Sequence, residues 1–75
     1  MNNTKLSVYP NPATDKLYCN FDLINYSVSI FDLTGRQVPL SVSDNEIDIS
    51  DLPSGIYCLH LQNSNGSVVR KFVKE

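Results

Sequence analysis

The sequence predicts an all-β domain made of two antiparallel sheets packed face to face. Three observations carry this. Short runs alternate apolar and polar residues, and clusters of Gly, Pro, Asn, Asp and Ser separate the runs. No window of about 11 residues or longer repeats apolar positions at helical spacing. Two facing sheets are the economical way for such short strands to bury one face each.

Each element follows in order. Leu6 and Val8 alternate with Ser7 and Tyr9 until Pro10-Asn11-Pro12 stops the run. Leu17, Cys19 and Phe21 alternate with Tyr18 and Asn20, and Tyr26, Val28 and Ile30 with Ser27 and Ser29. Ile30-Phe31-Asp32-Leu33 breaks strict alternation and reads as a strand end with a bulge. Thr34-Gly35 then supplies a turn. Val38, Leu40 and Val42 form the next run, and Pro39 confines it to an edge or a bulge because proline cannot donate to a ladder. After Ser43-Asp44-Asn45 come Ile47 and Ile49. Leu52-Pro53-Ser54-Gly55 is a turn in which proline pre-sets φ and glycine is free to take φ > 0. Ile56 to Gln62 is the cleanest strand, Asn63-Ser64-Asn65-Gly66 a hairpin turn, and Ser67 to Lys74 the last strand. That makes seven strands. Their inner faces carry Leu17, Phe21, Val28, Ile30, Val38, Leu40, Ile47, Ile49, Tyr57, Leu59 and Leu61.

Composition narrows the function classes. The chain has 75 residues, 41% apolar and 19% charged, with net charge −2. A domain of this size buries only roughly 60% of the surface its unfolded chain exposes, which leaves little room for a deep catalytic cleft. No basic excess points to nucleic acid, and no apolar run approaches the ~20 residues of a membrane span. Met1-Asn2-Asn3-Thr4-Lys5 lacks the charged-then-apolar order of a secretory signal and reads as linker. Residues 1–5 are therefore expected to be a linker remnant and residues 6–75 the domain. Apolar residues persist almost to Glu75, as in a strand that finishes a protein.

Reactive side chains are sparse. His60 is the one histidine and falls out of phase with Tyr57, Leu59 and Leu61, on a half-exposed strand position. Cys19 shares phase with inward Leu17 and Phe21, whereas Cys58 shares phase with Ile56 and His60. Alternation thus argues against a bridge across the sandwich, and a shifted phase would reverse the argument. The acids lack the spacing of a calcium loop; Asp44, Glu46 and Asp48 suit turn chemistry and solubility better than a weak cation site. No cofactor, metal or catalytic group is expected, so the domain is not read as an enzyme. Sequons begin at Asn2, Asn25 and Asn65, as many Asn and Ser residues allow by chance. Tyr9, Tyr18, Tyr26 and Phe31 offer an aromatic platform for a carbohydrate- or protein-binding module, although the chain has no Trp.

Three segments taken together are specific. They are Val8-Tyr9-Pro10-Asn11-Pro12-Ala13, Val28 to Arg36 with its Asp32-Leu33-Thr34-Gly35-Arg36 turn, and Ile47 to Tyr57 with Leu52-Pro53-Ser54-Gly55-Ile56-Tyr57. A hairpin and Lys71-Phe72-Val73-Lys74 follow. This ordered set resembles the C-terminal sorting domain of type IX secretion cargo in Bacteroidetes, from about Leu6 to Lys74. The resemblance implies a seven-stranded immunoglobulin-like sandwich. It implies a monomeric, folded export signal attached to a larger cargo domain that precedes it. The outer-membrane translocon would recognise it and a sortase-like peptidase would remove it, with passage from periplasm to cell surface or medium. The family's motif residues map onto Pro10, Asn11, Pro12, Gly35, Gly55, Tyr57, Lys71 and Lys74. Cys58 and Glu75 depart from the family's commonest pattern. Binding of nucleic acid and insertion into the membrane are not expected.

Overall fold

In a computed structural model, residues 7–20 and 22–75 form an all-β sandwich of two four-stranded sheets. The strands are β1 (Val8–Tyr9), β2 (Lys16–Cys19), β3 (Ser27–Asp32), β4 (Gln37–Val38), β5 (Ser41–Ser43), β6 (Glu46–Asp48), β7 (Gly55–Asn63) and β8 (Gly66–Lys74). The first sheet has the order β1-β2-β6-β5 and the second β4-β3-β7-β8, with every neighbouring pair antiparallel. Leu6 and Phe21 lie outside the described residues.

Eight strands replace the expected seven because the run from Val38 to Val42 is cut in two. Pro39 has no N–H for a ladder, and at Pro39-Leu40 the chain leaves the second sheet as β4 and enters the first as β5. Both pieces lie at sheet edges, where proline is tolerated. β3 runs regularly to Asp32, opposite Tyr57, and then turns sharply without the expected bulge.

Alternation places the core. Leu17, Ile30, Ile47, Ile49, Tyr57, Leu59 and Leu61 are buried, and Val28, Val38 and Leu40 pack partly buried against them. The pattern misses Ala13, Leu23 and Leu52, which reach the interior from irregular segments, and Phe72, which enters from β8. Cys19 points inward from β2 and is fully buried; burial pushes its thiol pKa up. Cys58 is half-buried on the other sheet, and both thiols are free. Among the described residues no helix is long and apolar enough to cross a membrane.

β7 and β8 form the longest hairpin, nine residues to a strand, closed by Asn63 opposite Gly66. The Asn63 carboxamide oxygen accepts the Asn65 N–H, and Gly66 adopts φ +144°, which favours glycine. At strand spacing of about 3.3 Å per residue this hairpin runs for roughly 30 Å, most of the 38 Å long axis. The sandwich therefore has a hairpin end, near Asn65, and an opposite end where Gly55 pairs with Lys74.

Leu59→Ala is expected to lower the unfolding free energy by about 2–5 kcal/mol in urea titration, because it opens a cavity in the sealed core. Val69→Ala, on the exposed face of β8, is expected to stay within about 0.5 kcal/mol.

Candidate functional site

The sequence segments with the most specific spacing meet at the end opposite the hairpin turn. Strand register brings them there. Asp32, Tyr57 and Phe72 form one cross-strand row, and Gly55 pairs with Lys74 beyond it. The Asp32–Arg36 turn, the Leu52–Tyr57 segment and the end of β8 thus share one end. The Pro10–Ala13 segment joins them from the first sheet.

The Pro10–Ala13 segment acts through its backbone and one side chain. Both X-Pro bonds, Tyr9-Pro10 and Asn11-Pro12, are cis. Ala13 forms a parallel bridge to Lys74. Its N–H donates to the Val73 carbonyl at 2.8 Å, and its carbonyl accepts the Glu75 N–H at 2.8 Å. The Asn11 side-chain oxygen accepts the Val73 N–H at 3.0 Å. Pro10, Asn11 and Pro12 are themselves exposed.

The Leu52–Tyr57 segment is gripped at successive carbonyls. The Tyr57 hydroxyl donates to the Pro53 carbonyl at 2.6 Å. The Lys74 ammonium, only 8% exposed, donates to the Leu52 carbonyl at 3.0 Å. Tyr57 also stacks on Phe72, with centroids 5.6 Å apart and planes at 24°. A buried ammonium needs such a partner to offset lost hydration, so Lys74 here holds a turn in place. Gly55 does not take the positive φ expected of it; it opens β7, and a β-carbon there would stand 3.8 Å from the Tyr57 ring.

The Asp32–Arg36 turn is organised by one carboxylate. Asp32 Oδ1 accepts the Thr34 N–H at 2.9 Å, the Thr34 hydroxyl at 2.6 Å and the Arg36 N–H at 3.0 Å. Arg36 Nε lies 3.4 Å from Asp32 Oδ2. The Thr34 hydroxyl bond, then the Arg36 N–H bond, hold the Asp32 carboxyl below its ordinary pKa. Gly35 sits at φ +87°, where a side chain would be strained. Asp48 repeats the device at the other sheet, bonding the Ser50 hydroxyl and N–H, and its pKa is likewise lowered.

Lys71 differs from Lys74. It lies one register step from the buried Phe72, on the outer face of β8, and is exposed. Alternation along one strand therefore splits the two lysines. Sequence reading placed both among the motif residues of the last strand; the signal that separates them is the inward phase of Phe72.

Elsewhere the chemistry is thin. Among the described residues no group of His, Cys, Asp or Glu is placed to hold a metal ion. Glu46 pairs with Lys16 at 3.5 Å, and Asp44 occupies a turn at φ +53°. His60 is half-buried with its ring against Phe31, centroids 4.8 Å apart. Tyr9 stacks with Tyr18 at 6.0 Å across β1 and β2.

A family model described as the secretion system C-terminal sorting domain matches residues 7–75. The chain belongs to this family. Among curated proteins, Beta-agarase D of Zobellia galactanivorans is 38% identical over 69 residues, covering 89% of this chain. This sorting domain spans about 14% of that protein's length. The four segments converging at one end thus lie within the matched residues, and the Tyr57 and Lys74 side chains bond two carbonyls of one turn.

Tyr57→Phe is expected to cost about 0.5–1.5 kcal/mol in thermal or urea unfolding, since it removes the hydroxyl bond to Pro53 while keeping the ring. The folded pKa of Asp32 lies below its unfolded value. Its contribution is therefore present above the ordinary 3.8 and is lost as pH falls through the folded value. A carboxyl NMR titration should place Asp32 below 3.8, and the amide signals of Thr34 and Arg36 should shift with it; in Asp32→Asn that transition should vanish.

Proposed function

We propose that residues 6–75 are a folded export signal, with residues 1–5 as linker to a cargo domain that precedes them. The type IX outer-membrane translocon reads the end of the sandwich where the four segments meet. A sortase-like peptidase then removes the domain as cargo reaches the cell surface or medium after passing through the periplasm. The domain is substrate in that reaction and catalyses nothing. It works as a monomer, without nucleic acid and without entering the membrane.

The observation that carries this reading is the convergence itself. Segments spread from Pro10 to Lys74 form one surface only in the folded chain, so a receptor that binds there distinguishes folded from unfolded cargo. Roles divide by burial. Pro10, Asn11, Pro12 and Gly35 are exposed and available for contact, as is the Lys71 ammonium on the adjoining outer face. Tyr57 and Lys74 act by holding the Leu52–Pro53 turn that the receptor meets, and Gly55 opens β7 directly after that turn. The crossing of the chain from β1 to a parallel bridge on β8 supports an immunoglobulin-like topology.

A second reading rests on the Tyr9–Tyr18 pair, which stands half-exposed on the outer face of the first sheet. Such a pair suits a carbohydrate-binding module on a secreted enzyme, since flat aromatic faces pack against sugar rings. It equally pins the two-residue β1 to β2 as a cross-strand aromatic contact.

Fusing residues 1–75 to a periplasmic reporter in a type IX host is expected to export the reporter. Lys71→Glu should reduce export at least about tenfold with the fold intact by circular dichroism. Unchanged export by Lys71→Glu would remove Lys71 from the receptor contact. Glycan binding by the isolated domain, lost in Tyr9→Ala with export retained, would favour the second reading.

A further inference from the structure

Among the described residues, the free edge of β8 is only partly closed. β8 is an edge strand of its sheet, and β7 pairs with its other side along its whole length. In an antiparallel ladder, alternate residues direct both main-chain groups to the same side. Val73 directs its N–H to Asn11 and its carbonyl to Ala13, both on the free side. Lys71, Val69 and Ser67 share that parity, so their N–H and C=O groups face the same free edge. There the Arg70 guanidinium donates to the Val69 carbonyl at 3.1 Å.

An open edge is a template for another strand. The bridge at Ala13 shows that this edge accepts one where a chain is supplied. The side chains flanking the open stretch say which strand fits. On the outer face they are Val69, 50% exposed, and Lys71, with Val73 at 36% and its neighbour Ile56 at 40% beside them. An incoming strand places alternate residues beside Val69 and Lys71, so its best pattern is an apolar residue and an acid two positions apart. A second copy supplies no acid: two antiparallel β8 edges centred on Val69 set Val69 beside Val69 and each Lys71 beside Ser67, so neither lysine meets an opposite charge.

We infer that β8 between Ser67 and Lys71 is a strand-addition site for an extended partner peptide that carries an apolar and an acidic residue two positions apart. The surface shares Lys71 with the export reading but uses none of the Pro10–Ala13 or Leu52–Tyr57 contacts, and its test is binding in solution, which succeeds or fails independently of export.

The test uses the full 75-residue chain, labelled with ¹⁵N, and a blocked ten-residue peptide with Val and Glu alternating on one side and Thr on the other. Binding should slow amide exchange at Val69 and Lys71 at least about tenfold, while Arg70 and Phe72, already bonded to β7, change little. A peptide with Lys in place of Glu should bind at least about tenfold more weakly. Lys71→Glu should reverse that preference. Val69→Pro removes an outward N–H at an edge, where proline is tolerated, and should abolish the added protection. Absence of protection with the acidic peptide overturns the inference. So does equal binding of the Glu and Lys peptides. Protection of Val69 and Lys71 before any peptide is added also overturns it: in dilute monomer it shows the edge already filled from within the chain, and if it grows with concentration it assigns the edge to a second copy.

Discussion

The short main-chain bridge between Ala13 and β8 is the contact on which the arrangement depends. Two sheets with a small core between them are free to slide unless something fixes their relative position. Ala13 leaves the first sheet's side of the molecule and bonds on both its faces to the last strand of the second. Asn11 adds a third bond to the same stretch. With Val73 and Glu75 thus fixed, Phe72 and Lys74 are driven inward, and Lys74 can reach the Leu52 carbonyl. Tyr57, stacked on Phe72, then takes the adjacent Pro53 carbonyl. The turn before β7 is fixed by groups that the first strand segment has positioned from across the sandwich.

This order of dependence explains why the motifs are short and far apart in the chain. Each supplies a complementary part. Proline and asparagine set the path of the crossing segment, and tyrosine and lysine supply donors for carbonyls that would otherwise lie buried and unbonded. Glycine takes the left-handed conformation of the Asp32–Arg36 turn. Removing any one part leaves the others with buried polar groups to satisfy, so the segments are coupled energetically although they are remote in sequence.

The sequence was most informative where one face of a strand meets the core. Strict alternation located β2, β3, β7 and β8, put Cys19 inward and Cys58 on the opposite face, and marked Pro39 as an edge residue. It failed where burial is decided by long-range bonding. The phase of Phe72 separates Lys74 from Lys71, but nothing local shows the Leu52 carbonyl that receives the Lys74 ammonium. Leu23 and Leu52 are buried from turns, where no period exists to read. The atoms that organise the candidate site are largely carbonyls, which every residue has, so side-chain motifs point to the place without showing the bonds. Gly55 illustrates the same limit: its position after proline suggested a left-handed turn, whereas it opens β7 without a positive φ, and a β-carbon there would make only ordinary contact with Tyr57.

The two thiols have a consequence of their own. Cys19 is sealed inside the first sheet and Cys58 stands on the outward side of the second, so neither is placed to find the other. The described residues are held by packing, hydrogen bonds and ion pairs, with no cross-link between the two thiols. Oxidation between these two thiols is therefore no step in closing the sandwich.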